Sequence, residues 1–275
     1  VGMILFASIT TVSLGKLFIA GIIPGLILAA AFSLVVVVWV KLQPKTVPPP
    51  PKELMPLGAA IIFALKNMWP ILILIFVVLG AIYLGIGTPT EAGCYGILGA
   101  LLLGHKGITR ESIKRTLLGT VQISGGLLIV IAMASVYGFA LNSLGMRQSL
   151  LSLLGGLPGG AFTKMYLVWL MLLVLGMFID SASIIVITTP IFMPFAVELG
   201  YDPIWFGIFM MLAVELGNIT PPVGVTLFSV QAVAKEQLDI VAKGSFPFWI
   251  SFFLAMTICT YFPTIVTWLP RMGLG

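Results

Sequence analysis

The sequence predicts an all-α integral membrane protein that contains a re-entrant helical hairpin and a discontinuous transmembrane helix. Hydrophobic residues make up 60% of the 275 positions and charged residues only 8%, whereas about a quarter of the residues in a soluble domain are charged. The apolar runs are long and do not alternate with polar residues, which favours helices over the strands of a β-barrel. Two apolar stretches are interrupted by polar residues and prolines, which predicts helices that break inside the membrane.

The apolar segments fall into two length classes. Four uncharged runs of 24 to 31 residues exceed the roughly 20 residues that a membrane-spanning helix needs; they lie at 17–40, 67–90, 116–146 and 244–270. Four shorter segments of 13 to 15 residues lie at 165–179, 184–197, 203–217 and 222–234. At 1.5 Å per residue they would form helices of about 20 Å, shorter than the hydrocarbon core of about 30 Å. We therefore expect none of the short segments to cross the membrane alone.

The four short segments form two pairs, and each pair is joined by polar residues. The first joint is Asp180-Ser181-Ala182-Ser183 and the second is Asn218-Ile219-Thr220-Pro221-Pro222. Irregular backbone at membrane depth is tolerated only where it is buried in protein or lines a cavity. The sequence therefore predicts a re-entrant hairpin over 165–199 and a discontinuous helix over 203–235, whose polar joints face each other inside the protein.

Charged and proline-rich stretches divide the rest of the chain. The predicted elements are the end of a first repeat with the tail of a broken helix and one transmembrane helix (1–43), a cytoplasmic linker with an amphipathic segment (44–66), a scaffold helix pair (67–104), an interfacial arm helix (105–117), a transmembrane helix (118–146) and a last transmembrane helix (244–270). The second arm of the scaffold pair is short, so a re-entrant arrangement is the alternative there. Glu91 is expected to cap the helix after "GTPTEA", with Thr88 or Thr90 as the N-cap.

Basic residues predict the orientation of the chain. Ten of the 14 lysines and arginines lie in three connections, at 41–66, 106–115 and 235–243, which are therefore expected to be cytoplasmic. The net charge of +5 is explained in this way and does not indicate a nucleic-acid partner. Cys94 and Cys259 form no metal-binding or disulfide pattern and are expected to be packing residues.

An internal match suggests a duplicated architecture. Valine, glycine, leucine and phenylalanine recur at the same spacing in residues 1–6 and 223–228. The connection that follows the first copy is expected outside and the one that follows the second copy inside. Matching segments of opposite orientation are typical of the inverted repeats of secondary transporters. We therefore expect an inverted-repeat ion-transporter fold, and a fragment that begins just after the first break of its first repeat.

The broken helix offers its backbone to ligands. Helix ends carry unpaired amides and carbonyls with partial charges of about half an electron. Carbonyl oxygens near Gly217 suit Na⁺ and the amides of the following half-helix suit an anionic substrate, whereas the structural alternative is a proline kink that only shapes packing. Asp180 could cap a helix, bond the opposing joint or meet the cation, and Glu215 could brace the joint. The candidates for lining the site are Asp180, Ser181, Ser183, Asn218, Pro221 and Pro222.

Four blocks, "GTPTEAG", "GMFIDSAS", "PIFMPFAVELGYDP" and "ELGNITPPVG", resemble in this order the large permease subunit of TRAP transporters. The resemblance covers essentially the whole chain. It implies an elevator-type, sodium-driven importer of organic acid anions such as dicarboxylates, in the cytoplasmic (inner) membrane of a bacterium or archaeon. It also implies a small membrane subunit and a periplasmic solute-binding protein as partners, and no cofactor besides Na⁺ as the coupling ion.

The resemblance also implies a sodium site. One sodium site of the family uses backbone oxygens that match Gly176, Gly217, Thr220 and Val223, with the Thr220 hydroxyl as a further candidate ligand. The family's other sodium site would involve the first repeat.

Three other functions are considered. A stand-alone sodium/dicarboxylate symporter of related architecture would need no binding protein. An intramembrane aspartyl protease would need Asp180 and Asp202 at one depth to share a proton, which the turn-like "GYDP" around Asp202 disfavours. A purely structural membrane subunit is the third. The sequence thus favours a transporter over an enzyme.

Overall fold

The computed structural model describes residues 1–44, 56–156 and 158–272, which are helical with short connections and contain no β-strand. The helices are α1 (Gly2–Ile9), α2 (Leu14–Ala20), α3 (Ile22–Leu42), α4 (Leu57–Tyr83), α5 (Pro89–Gly104), α6 (Arg110–Ser143), α7 (Met146–Gly155), α8 (Ala161–Gly176), α9 (Ser181–Glu198), α10 (Pro203–Asn218), α11 (Val225–Ala234), α12 (Leu238–Tyr261) and α13 (Thr264–Arg271). Within these residues, five stretches are long and apolar enough to cross a membrane: Leu14–Leu42, Gly58–Tyr83, Arg110–Ala140, Ser181–Glu198 and Leu238–Tyr261. The predicted all-α integral membrane fold is confirmed.

The chain divides into two compact units, and the smaller one, Val36–Ile123, contains the pair α4 and α5. Glycines of α5 allow close packing, because a methyl group at Gly96 would lie 2.9 Å from the Val78 side chain and one at Gly99 2.7 Å from Leu74. Residue numbers rise along one helix as they fall along the other, so the pair is antiparallel. At its start, α5 has a capping box in which Thr88 is the N-cap and Glu91 the reciprocal partner, which decides between the two predicted caps.

The larger unit, Val1–Val35 with the residues from Ser124 onward, is organised around α10. Twelve of the 16 residues of α10 are buried, so protein covers most of this helix. Gly207 allows a close approach of α1 and α2, because a methyl group there would lie 2.6 Å from Leu17 and 2.9 Å from Phe6. The helix that breaks is therefore largely enclosed by protein, the condition under which an irregular backbone is tolerated in a membrane.

The predicted last transmembrane helix over 244–270 is wrong as a single element, because the structure has α12 and α13 there. Pro263 has no backbone N–H and restricts the residue before it, so α12 ends at Tyr261. The carbonyl of Cys259 would normally bond the amide four residues later, which is this proline. The Trp205 indole Nε1 donates to that carbonyl instead, at 2.7 Å.

The predicted boundary between an arm helix over 105–117 and a transmembrane helix over 118–146 is also wrong. One continuous helix, α6, covers Arg110–Ser143. No proline lies in this stretch, and a change from charged to apolar residues does not by itself interrupt backbone hydrogen bonds. The helix stops before Gly145, whose φ of +66° is the left-handed conformation that commonly ends helices. A further helix, α7, follows and was not predicted.

Two further boundaries differ from the prediction. Residues 45–55 of the predicted linker over 44–66 lie outside the described residues, and its last part belongs to α4, which begins at Leu57 after Pro56. The second arm of the hairpin is longer than the predicted apolar segment over 184–197, because α9 covers the 18 residues Ser181–Glu198. At this length α9 could cross a membrane, so the argument that it is too short to cross does not hold.

The two sequence copies have the same order of elements. In the first copy the short helix α1 is followed by α2 and α3, and in the second the short helix α11 is followed by the long helix α12. The long stretches begin at Leu14 and Leu238, close to the offset of about 222 between the matched sequences. The opposite orientation of the copies in a membrane stays a prediction.

Candidate functional site

The site lies where two interruptions of the larger unit meet. We call residues 177–180, between α8 and α9, the hairpin turn, and residues 219–224, between α10 and α11, the helix break. Gly176 and Gly217 bring the backbones on either side into contact, because a methyl group at Gly217 would lie only 2.5 Å from the Gly176 Cα. The two polar joints therefore face each other, as the sequence predicts, and glycine is required at this approach.

Backbone hydrogen bonds join the hairpin turn to the helix break. The amides of Val223 and Gly224 both donate to the carbonyl oxygen of Met177, each at 3.2 Å. The end of α8 carries partial negative charge and the start of α11 partial positive charge, so this contact is electrostatically favourable. It also corrects one expectation: these two amides at the start of the second half-helix bond the hairpin turn and do not face a substrate anion.

Side chains add a second connection between the two joints. Asn218 Nδ2 donates to Ser181 Oγ, linking the end of α10 to the start of α9. Asp180 is the N-cap of α9: its carboxylate accepts the Ser183 amide at 3.0 Å and the Ser183 hydroxyl at 2.6 Å. Of the three predicted roles of Asp180, the structure supports capping.

The prolines of the helix break leave carbonyl oxygens unpaired. The amides that would bond Gly217 and Asn218 in a continuous helix belong to Pro221 and Pro222, which have no N–H. The Gly217 carbonyl instead accepts the Thr220 amide at 3.0 Å, while the Asn218 carbonyl accepts no hydrogen bond from any described residue.

The four predicted sodium-binding residues lie close together in this region. Gly176 and Gly217 are in contact, and Val223 bonds the residue after Gly176. The carbonyls of Gly176, Thr220 and Val223 accept no hydrogen bond from the rest of the described chain. Thr220 is buried, and its hydroxyl donates to the Leu216 carbonyl at 2.6 Å, which leaves the lone pairs of this oxygen for another partner.

Two residues of α12 contact the helix break and were not predicted. The Ile219 carbonyl accepts the Trp249 indole N–H at 3.0 Å and lies 3.4 Å from the Ser245 hydroxyl. Ser245 and Trp249 are four residues apart and so share one helix face. This spacing of two hydrogen-bonding side chains in an otherwise apolar segment was the sequence signal that could have identified them. Next to this contact lies a cavity of about 310 Å³, lined by Pro221, Ala242, Lys243, Phe246 and Trp249.

The remaining candidates are more exposed. Pro222 is exposed, and Glu215 is exposed as well, so Glu215 does not brace the interior of the joint. Within the described ranges, no group of three or more His, Cys, Asp or Glu residues could hold a metal ion. The unpaired oxygens identified there are neutral backbone carbonyls, which suit hard cations such as Na⁺.

The geometry excludes an aspartyl protease dyad. Asp180 precedes α9 and Asp202 follows it, and a helix of 18 residues is about 27 Å long at 1.5 Å per residue. Asp202 caps α10 through the Ile204 amide at 2.8 Å and pairs with Arg271 at 3.3 Å. The two carboxylates lie far too distant from each other to share a proton.

The chain is similar to a known family of membrane permeases. The model of the family described as "Tripartite ATP-independent periplasmic transporter, DctM component" matches residues 1–265. A protein of Pseudomonas aeruginosa named C4-dicarboxylate TRAP transporter large permease protein DctM is 34% identical over 273 residues, which are 98% of this chain and 62% of the relative.

Two further relatives carry other substrate names. The ectoine TRAP transporter large permease protein of Halomonas elongata is 30% identical, over 98% of this chain and 62% of the relative. The sialic acid TRAP transporter permease protein of Haemophilus influenzae is 26% identical, over 99% of this chain and 44% of the relative. The chain thus spans less than two thirds of the length of these relatives.

Proposed function

Because the chain belongs to the DctM family of tripartite ATP-independent periplasmic transporters, we propose that it forms the cation-binding part of a sodium-coupled importer of organic acid anions. The observation that carries this proposal is the contact between the hairpin turn and the helix break. There, unpaired backbone oxygens of Gly176, Thr220 and Val223 lie in a buried region without a cluster of acidic side chains. Helix ends and unwound carbonyls of this kind bind Na⁺ in secondary transporters.

The family membership supports a larger assembly. We propose that the chain acts with a small membrane subunit and a periplasmic solute-binding protein, in a bacterial or archaeal inner membrane. A C4-dicarboxylate or a similar organic acid is the proposed substrate class, since the relative from Pseudomonas aeruginosa is named for it at 34% identity. The proposed movement is an elevator motion, in which the part that contains the site moves as one body.

Sodium binding is tested by thermal unfolding of the whole chain in detergent. We expect NaCl, but not KCl or choline chloride at equal ionic strength, to raise the apparent Tm. A ligand that binds only the folded state at a hundred times its Kd stabilises by about 2.7 kcal/mol. Equal Tm values in Na⁺, K⁺ and choline would refute a sodium site.

Thr220 provides the sharper version of this test. In Thr220→Ala the hydroxyl that donates to Leu216 is lost and the backbone oxygen is kept, so we expect a smaller sodium-induced rise in Tm. Thr220→Ser is the matched control, because it retains the hydroxyl and should retain the response. If all three proteins respond equally, the hydroxyl is not a ligand and only backbone ligation remains.

The partners are tested by transport. We expect proteoliposomes that contain the chain and its small subunit to accumulate a dicarboxylate only when an inward sodium gradient and the cognate binding protein are both present. Uptake driven by sodium without any soluble protein would identify a stand-alone symporter instead.

A further inference from the structure

Asn218 has a polar atom that the protein does not satisfy. Its side chain is the last of α10 and only 5% exposed. The Nδ2 group donates to Ser181, but the Oδ1 atom is buried and has no hydrogen-bond partner among the described residues. An unpaired buried acceptor is costly. An oxygen retained at this cost within the candidate site points to a ligand.

The position of this oxygen follows from its bonded neighbour. Oδ1 and Nδ2 share one carbon atom, so Oδ1 also lies near Ser181, at the start of α9. The backbone oxygens of Asn218 and Thr220 are close to it in the chain, and both face Gly224, where a methyl group would lie 3.1 Å and 3.0 Å from them. Both are unpaired as well, so residues 218 to 220 present three unsatisfied acceptors.

The chemistry of these acceptors suits a cation. A cation accepts lone pairs from every oxygen that it contacts and needs no donor hydrogen. Neutral carbonyl and carboxamide oxygens are ligands for hard cations. The two prolines that follow Ile219 cannot supply a donor, so the local sequence keeps the segment rich in acceptors.

We propose that the Asn218 carboxamide oxygen is a direct ligand of the bound Na⁺, and that the same carboxamide connects the ion to the start of α9 through Ser181. This inference rests on the proposed sodium-binding function. A cation on Oδ1 polarises the carboxamide and strengthens the hydrogen bond that Nδ2 donates to Ser181. Ion binding therefore stiffens the contact between α10 and α9, although Ser181 itself does not touch the ion.

The test compares sodium affinities, measured by ²²Na⁺ binding to the purified whole chain and by the sodium dependence of its Tm. We expect Asn218→Ala to weaken sodium binding about tenfold or more. A hydrogen bond or ligand bond to a charged group is worth about one to two factors of ten in affinity. We expect Asn218→Asp to bind Na⁺ more tightly than the wild type at neutral pH and to lose this gain in acid, because protonation removes its charge.

Two control variants separate ligation from the hydrogen bond between helices. Ser181→Ala removes the acceptor of Nδ2 and keeps the Asn218 oxygen, so its sodium affinity should fall less than that of Asn218→Ala. Asn67→Ala makes the same substitution on an exposed part of α4 and should bind Na⁺ as the wild type does.

The outcomes distinguish this inference from the proposed function. If the wild type does not bind Na⁺, the proposed function fails and the inference fails with it. If the wild type binds Na⁺ and Asn218→Ala binds it equally well, only the inference is overturned. Equal losses in Asn218→Ala and Ser181→Ala would also overturn it, because the effect would then come from the helix contact. If Asn218→Ala does not fold, the acid-sensitive gain of Asn218→Asp decides.

Discussion

Replacing Gly217 by alanine tests whether the hairpin turn and the helix break meet as described. The new methyl group would lie 2.5 Å from the Gly176 Cα, 2.8 Å from the Gly176 carbonyl carbon and 3.0 Å from the Leu173 carbonyl oxygen. All three neighbours are backbone atoms, which cannot rotate away as a side chain could. Helix α8 must therefore move relative to α10, and overpacking of this kind costs about 1–3 kcal/mol.

The net effect also includes the helix propensity of alanine. Alanine is more favourable than glycine in a helix by about 1 kcal/mol, so the expected loss in Gly217→Ala is up to about 2 kcal/mol. Gly244 is the matched control: it is also helical, in α12, and a methyl group there meets nothing within 4 Å. Gly244→Ala should therefore gain about 1 kcal/mol.

The assay is thermal unfolding of both variants in detergent, at one heating rate and in KCl, so that sodium does not contribute. At about 2–4 °C per kcal/mol, Gly217→Ala should unfold up to about 8 °C below the wild type and Gly244→Ala slightly above it. In NaCl, Gly217→Ala should also show a smaller increase in Tm, because the site is distorted. If the two variants are equally stable, the close contact between α8 and α10 does not exist and the reasoning from it is wrong.

Two further predictions concern other parts of the chain. Trp205→Phe leaves the Cys259 carbonyl without its donor, which should cost about 1–3 kcal/mol and lower the Tm. Trp268→Phe is the control, because its side chain is 54% exposed, and it should not lower the Tm. Equal Tm values in the two variants would contradict this prediction. The backbone and side chain of Thr88 donate to Glu91 and lower the pKa of its carboxyl. Because this pKa is lowered in the folded state, its stabilising effect is present above the unfolded pKa and is lost as the pH falls through the lowered one. The protection factors of the amides at the start of α5, which are corrected for the intrinsic pH dependence of exchange, should therefore fall in acid in the wild type but not in Glu91→Gln, and equal pH dependence would refute the capping box as its cause.

The helix break could be predicted because its cause is local. Two prolines next to Asn218 and Thr220 remove backbone donors wherever the chain goes, so any helix must end there. The polar joint at Asp180 is local in the same sense, since an aspartate followed by serines favours an N-cap. Such effects depend only on a few consecutive residues and are visible in the sequence.

The partners of these joints could not be predicted from the residues alone. The donors to the Met177 carbonyl come from residues 46 and 47 positions later, and the Trp249 indole reaches Ile219 across 30 positions. The boundaries that were wrong have a related cause. The predicted boundaries at 66/67 and 117/118 follow the change from charged to apolar residues, whereas the helices end where the backbone stops them, as at Gly145 and Pro263.

The way in which the two joints are connected bears on how a bound ion could cross the membrane. A motion that separated the hairpin turn from the helix break would break both hydrogen bonds to Met177 and the bond between Asn218 and Ser181. It would also expose the glycine contact between α8 and α10. Each unpaired buried group would cost about 1–3 kcal/mol, so such a gate would be opposed by several kcal/mol before any ion was released. A motion that carries α8 to α12 as one body breaks none of these contacts, and it also keeps the bonds from Trp249 to Ile219 and from Trp205 to Cys259. The connections therefore favour the proposed elevator movement over a gate that opens between the two joints.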